Sequence, residues 1–333
     1  MTSNVEIAIV GAGLSGLALA HVLRSEGRDV LVLEARSRAG GRILSQEGYD
    51  LGPAWIWPHN RRMIALVSQL GLESFPQHSR GRLVFENPNG GLRRDIDFGS
   101  IGGALLITGG IAKITDILAQ GLGDTLRLGH SVERVLEDDG GATVVGLRPE
   151  AAIRADRVVL ALPPRLAAGL GANVPDVPTW MAGHAKLIAI YDAPFWRDDG
   201  LNGDAISHRG PLAEIHDASP ANAGQGALFG FAIPGEARTT NFENQAVAHL
   251  ARLFGAAAGA PRRLLIKDWS VDPATATPAD RTPPTSHPNY QPIAPGRRVI
   301  FAGTETAPIE GGFLEGALEA AEMAHQQLLR MAA

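Results

Sequence analysis

Apolar runs alternate with Gly- and Pro-rich turns along the whole chain, and their spacing sorts them into strands and helices. Residues 5–10 (VEIAIV) are mostly apolar and β-branched, which predicts a strand covered on both faces, as in a parallel sheet. Residues 14–24 have the apolar body of a helix, and residues 29–33 predict a second buried strand. Met63, Leu66, Val67 and Leu70 recur at helical spacing before a stop at Gly71. A further helix is predicted over 111–122, then strands at 126–128, 131–137, 143–147 and 157–161. The last of these is stopped by Leu162-Pro163-Pro164. From about 179 to 268 the pattern changes to short alternating segments (184–191, 228–233, 264–269) with one helix near 244–254. That pattern predicts a mostly antiparallel sheet with a helix packed on it. Residues 80–110 lack periodicity and read as a hairpin or loop leading to that second region. A Pro-rich stretch, 273–295, leads back to a buried strand at 298–303. The final helix starts near Gly312 and carries Leu314, Ala317, Leu318, Ala321 and Leu328 on one face.

Composition narrows the classes. A chain of 333 residues, 45% hydrophobic and 20% charged, describes an ordinary globular protein of about two domains. Its net charge of −5 gives no general attraction to nucleic acid or to anionic lipid, so neither is an expected partner. With Cys 0, disulfides, thiolate metal sites and a cysteine nucleophile are excluded. The histidines show no metal spacing, and no metal is expected. The first strand begins close to Met1, which leaves no room for a signal peptide, and no apolar run is long enough to span a bilayer. The cytoplasm is the expected location, and a homodimer is compatible with the chain.

The chemistry concentrates at glycine-rich turns. Gly11-Ala12-Gly13-Leu14-Ser15-Gly16 follows the first strand and opens a helix, and Glu34 ends the second strand. Strand, G-x-G-x-x-G, helix, strand and acid in this order is the dinucleotide fingerprint. Gly11 permits the turn, Gly13 lets a pyrophosphate approach the backbone, and Gly16 lets helix and strand pack closely. The helix N-terminus, at Leu14 and Ser15, offers unpaired N–H groups and a positive dipole end. Glu34 suits ribose hydroxyls. Arg36 to Arg42 then place Gly40 and Gly41 between arginines, which suggests a second turn against phosphate with an arginine fork available. A nicotinamide enzyme has no particular need of that second element, whereas an extended FAD does.

Taken together, these residues resemble the flavin-dependent monoamine oxidase and polyamine oxidase family. The resemblance comprises Gly11–Gly16 with Glu34, Arg38-Ala39-Gly40-Gly41-Arg42, Asp50-Leu51-Gly52 and Leu162-Pro163-Pro164. It continues through Lys186 ahead of Pro194-Phe195-Trp196-Arg197 and Asp268-Trp269-Ser270. It closes with Phe301-Ala302-Gly303-Thr304-Glu305 and Gly312-Phe313-Leu314-Glu315-Gly316-Ala317. It implies a Rossmann-like FAD-binding domain of the GR2, glutathione-reductase-like type, with a second, mostly antiparallel α+β substrate domain. The expected division is 1–79, 105–178 and 272–333 for FAD, and 80–104 with 179–271 for substrate. FAD contacts are implied at Ala35, Arg36, Gly52, Pro53, Ala54, Gly303, Gly312, Phe313 and Ala317, besides the turn residues above. By the same resemblance Val132 meets the adenine through its backbone and Glu305 binds the ribityl chain. The helix opening at Gly312-Phe313 points its positive end at the flavin edge that becomes anionic on reduction.

Lys186 lies mid-strand, where a lysine ordinarily stands on the solvated face of a sheet. The resemblance instead makes it the lysine that holds a water against flavin N5. Trp55 and Phe313 resemble substrate-cavity positions, although each also reads as a core aromatic. Trp57, Phe195, Trp196 and Trp269 read as packing, and His59 and His216 are candidate pocket residues. Three departures from the family stand out. The helical insertion usually found between the Leu72 and Gly109 regions is absent. The second cage aromatic is missing near Ala279. Without cysteine, FAD is held non-covalently. The expected activity is oxidation of a primary or secondary amine to an imine by FAD, with oxygen reduced to hydrogen peroxide. The rivals are a renalase-like or desaturase-like flavin oxidoreductase and a non-catalytic flavin-binding partner subunit.

Overall fold

The apolar run of the first strand is buried because it lies inside a sheet. In the computed structural model, which describes residues 3–146, 152–222 and 224–332, strand Ser3–Val10 pairs in parallel with Val30–Leu33 on one side and Ile153–Leu160 on the other. Ile7, Ala8 and Ile9 are completely buried. Leu126–Arg127 extends the sheet past Val30–Leu33. On the other side Ile153–Leu160 divides its free edge. Its first half takes the antiparallel strand Gly141–Gly146, itself paired with Val132–Asp138, and its second half takes the parallel strand Val299–Phe301. Leu147, the expected end of one strand, lies outside the described residues. Helices Leu14–Ser25, Ala112–Leu122 and Leu314–Ala332 share one core against this sheet, through Leu17, Leu23, Ile114, Leu118, Leu318 and Leu328.

A second seven-stranded sheet runs in the order Arg263–Asp268, Ala185–Tyr191, Gly226–Ala232, Leu212–Asp217, Leu201–Ser207, Arg82–Glu86, Leu92–Ile96. It is antiparallel except where Leu201–Ser207 meets Arg82–Glu86. Helix Phe242–Phe254 covers one face through Phe242, Ala246, Leu250 and Leu253, against Leu187, Ala189, Leu212 and Ile215. The opposite face packs Ile188, Ile190 and Phe229 on Tyr49 and Leu51. The strand bearing Lys186 is therefore buried on both sides, and no solvated face exists for that lysine.

One expectation holds and one needs correcting. Within residues 80–110, Arg82–Glu86 and Leu92–Ile96 form an antiparallel hairpin, and it supplies two strands of the second sheet. Leu201–Ser207 and Leu212–Asp217 are strands that the hydrophobic pattern misses. The cause is polar residues buried with partners. Asn202, Asp204, His216 and Asp217 are all essentially inaccessible. Asn202 donates to the Phe98 carbonyl, and Asp204 accepts from both the N–H and the hydroxyl of Ser100. A buried polar group is tolerable when its hydrogen bonds are satisfied, but it erases the apolar alternation. No helix among the described residues is long and apolar enough to cross a membrane.

Candidate active site

The turns at the carboxyl ends of the parallel strands open into a cavity of about 820 Å³ that continues to the second sheet. Its walls include Gly11, Gly13, Leu14, Ser15, Glu34, Arg36, Gly40, Gly41, Arg42, Gly52, Pro53, Ala54, Gly303, Gly312, Phe313 and Ala317. Residues from both ends and the middle of the sequence thus meet at one surface. Gly11 has φ +106°, and a Cβ there would come within 2.6 Å of the Ala161 carbonyl. A Cβ on Gly16 would overlap the Gly11 carbonyl, so Gly16 sits behind the turn and not in the cavity wall. Gly13, by contrast, has open space where its side chain would be, and no side chain caps the helix that follows it. The second glycine turn lies directly against the first: Gly40 N–H donates to the Ala12 carbonyl at 2.8 Å.

The charged groups are arranged by their own partners. Glu34, 4% exposed, accepts from the N–H groups of Ala12 and Arg36, each at 2.9 Å. The expected arginine fork is not free. Arg38 spends its guanidinium on the carbonyls of Ala39, Gly41 and Ile43, and Arg36 binds Asp272 at 2.6 Å. Arg42 reaches Glu305 at 2.7 Å, yet neither carboxylate oxygen of Glu305 has an aligned hydrogen-bond donor, although the residue is 1% exposed. A buried carboxylate whose one partner is the Arg42 guanidinium, without an aligned hydrogen bond, has capacity for further donors, and the hydroxyls of a ribityl chain would supply them. The open cradle at Gly13 and this carboxylate both fit an extended dinucleotide. Ala35 is exposed and Val132 half-buried, and neither lines the cavity, nor does Glu305 itself.

Lys186 is 4% exposed and lines the same cavity. Its Nζ donates to the Gly52 carbonyl at 3.0 Å and lies 4.0 Å from the centroid of Phe229, with Trp55 and Phe231 at 6.0 and 5.8 Å. Burial pulls its pKa down to about 8, against the opposing pull of the Asp50 carboxylate. Trp55 stands in the cavity wall, its indole N–H bonded to Gln77 and its ring against Trp57, His216 and Phe229. Phe313 is 44% exposed and faces the same space.

His59, a candidate pocket residue, lines the cavity. Trp57 and Trp269, which the sequence marks as packing, line it as well. Trp180 also lines it, and with His287 it surrounds Phe313. His287 stacks on Phe313 at 5.1 Å, and Trp180 meets His287 at 5.0 Å. No motif announces Trp180, because its neighbour in space, Gly312, is 132 positions away in sequence. Glu214 lines the cavity and accepts from His216 at 2.7 Å, and His216 meets Asp204 at 2.9 Å on its other nitrogen. Burial alone would lower the His216 pKa, but the carboxylates of Asp204 and Glu214 raise it above the usual histidine value. His216 itself lies behind the wall and not in it.

The profile of the family described as flavin containing amine oxidoreductase matches residues 14–98 and 92–329. The chain belongs to this family. It is 25% identical to a Mycobacterium tuberculosis protein named as a flavin-containing monoamine oxidase, AofH, over 443 aligned positions covering 96% of each chain. It is 24% identical to flavin-containing amine oxidase B of Sus scrofa, covering 99% of this chain and 87% of that one. A solved structure of a putrescine oxidase carrying three substitutions shares the fold, with a TM-score of 0.84 and 21% identity, covering 99% of this chain and 100% of that one. The amine oxidase is thus a two-part α/β flavoenzyme acting on amines, with FAD as its cofactor. Those alignments are longer than the chain, so relatives carry segments it lacks. The two family matches overlap at 92–98, which includes the edge strand Leu92–Ile96.

Proposed function

We propose that FAD lies extended and non-covalently bound through the cavity. Its pyrophosphate would take the amino end of helix Leu14–Ser25, its ribose Glu34, its adenine the Val132 backbone and its ribityl chain Glu305. The flavin supplies two-electron oxidation of a carbon–nitrogen bond. The residues around it position, shield and handle protons. Trp55 and Phe313 line the space for a neutral primary or secondary amine. Lys186 holds a water at the flavin edge and puts positive charge where oxygen takes up electrons. The imine formed is hydrolysed to an aldehyde, and oxygen leaves as hydrogen peroxide. The two sheets support dividing the chain at the residues given above, with the parallel sheet serving FAD and the antiparallel one substrate.

The observation that carries this reading is a buried lysine, flanked by the rings of Phe229, Phe231 and Trp55, on the wall of the cavity. Anaerobic mixing with a panel of amines tests it. Bleaching of the flavin by an amine supports it, and bleaching by a dihydronicotinamide alone overturns it. A narrower reading, that the substrate is a diamine, is favoured by Glu214. Its side chain is 46% exposed in the cavity wall, where a carboxylate would attract a second ammonium, and a putrescine oxidase is among the structural relatives. Glu214→Gln should then lower kcat/KM for 1,4-diaminobutane about tenfold or more while sparing butylamine. Equal loss for both amines would discard the narrower reading.

A further inference from the structure

A second chamber, of about 410 Å³, lies on the other side of Lys186. Lys186 and Ala54 line it together with the larger cavity, so the ammonium stands in the partition between the two. The chamber runs from there to the exposed residues Glu47, Asn222 and Gln225. Its wall holds polar groups without partners. Gln77, 5% exposed, uses its side-chain oxygen on Trp55 and leaves its NH₂ unbonded, and the Thr108 hydroxyl is likewise buried and unbonded. Asp50 lines it too. Its Oδ1 accepts from the Ser45 hydroxyl at 2.5 Å and from Ile111 N–H at 2.9 Å, which leaves Oδ2 as the oxygen available to the chamber. Donors and acceptors without partners around an enclosed space are the conditions under which ordered water is retained.

Resting on the amine-oxidase reading above, we propose that this chamber is a water-filled proton passage in which Asp50 relays protons between bulk solvent and Lys186. The overall change, RCH2NH3⁺ + O2 → RCH=NH2⁺ + H2O2, balances without a net proton. The amine nevertheless gives up one proton as it enters from its own side, and one proton must be delivered to the closed flavin site as oxygen is reduced. A cavity filled by cofactor and substrate offers no easy route on its own side. The chamber offers one from behind. Burial pushes the Asp50 carboxyl up to about 6, against the lowering effects of Ser45, Ile111 and Lys186, and Lys186 sits near 8. Burial thus moves the carboxyl up and the ammonium down, toward each other, which eases transfer of a proton between them. Other charges nearby are already engaged. Lys267, cross-strand from Lys186, pairs with Asp272. Asp217 in the chamber wall is held by Arg197 and the Trp196 indole. Glu47 at the rim binds Arg263. Gly52, Trp55, Phe229 and Phe231 face Lys186 without charge.

The test is Asp50→Asn in the FAD-loaded enzyme. An asparagine side-chain oxygen can still accept from Ser45 and Ile111, so the local fold survives and only the ionisation is lost. Reduction of the flavin by an amine should persist, whereas its reoxidation by oxygen slows about tenfold with a larger solvent isotope effect. The chain has three lysines, Lys113, Lys186 and Lys267, so ¹³C-lysine NMR can follow Lys186 directly. In the variant Lys186 should titrate at lower pH, and the pH limit of reoxidation should move down with it. Thr108→Leu, which dries the chamber and leaves Asp50 intact, should slow reoxidation without moving the Lys186 titration. Reoxidation and titration unchanged in Asp50→Asn would overturn the passage while leaving the amine reading intact. Failure of every amine to reduce the wild-type flavin would instead remove that underlying reading.

Discussion

The two sheets build their shares of one cavity from different materials. The parallel sheet contributes backbone: turns at Gly11–Gly16 and Gly40–Gly41 whose use depends on having no side chain, plus a helix end with open N–H groups. The antiparallel sheet contributes side chains. Lys186, Glu214 and Phe231 project from strands into the same space, held by neighbours such as His216 and Phe229. A backbone cradle fits a cofactor whose phosphates and ribose never vary. A side-chain wall can be altered one residue at a time, as a substrate site must be. The first region should therefore fail as a whole, and the second by degrees.

Substitutions can break that contrast. The largest effect is expected from Gly16→Val, because its Cβ would overlap the Gly11 carbonyl and the turn cannot move without the strand. The variant should lose flavin absorbance and about 3 kcal/mol of stability in denaturant melts. Next comes Lys186→Met, which should keep bound flavin and stability but slow reoxidation on the order of 10²-fold in stopped-flow absorbance. Glu305→Gln follows. Losing the charged acceptor should weaken FAD binding by about 2 kcal/mol by fluorescence titration, with little change in the melting of the apoprotein.

The smallest effects sharpen the contrast within the second sheet. His216 has its pKa raised, so its ion pairs contribute stability below the unfolded value and lose it as pH rises through the folded one. His249 is the reverse. Burial, then Arg252, lowers it to about 4, so the fold is penalised as pH falls from the unfolded value toward 4. Thermal unfolding of His216→Asn and His249→Asn across pH 4 to 9 should show opposite pH trends relative to wild type. Parallel trends would show that these burials do not govern the two imidazoles.

The same difference in materials decides what could be read in advance. Glycine turns are legible because each glycine stands at a fixed offset from a strand end and a helix start, so Gly11, Gly13, Gly40 and Gly312 point to their site without tertiary knowledge. Leu201–Ser207 and Leu212–Asp217 are opaque because Asn202, Asp204, His216 and Asp217 are buried with partners, several of which lie far away in sequence, such as Phe98 and Ser100. Trp180 and Glu214 were missed for the same reason: nothing local marks a side chain whose role comes from what folds over it. Arg38 misled in the other direction, since its motif position suggested a phosphate and its guanidinium instead ties the turn that carries it.

Neither sheet is encoded by a contiguous piece of gene. The parallel one collects strands from 3–33, 126–160 and 299–301, and the other from 82–96 and 185–268. No truncated half can be expressed as a module, and a nascent chain emerging from the ribosome cannot close its cofactor cradle until Gly303 and Gly312 have been synthesised. Premature termination anywhere before the last helix should therefore leave an aggregation-prone product and no partially active enzyme.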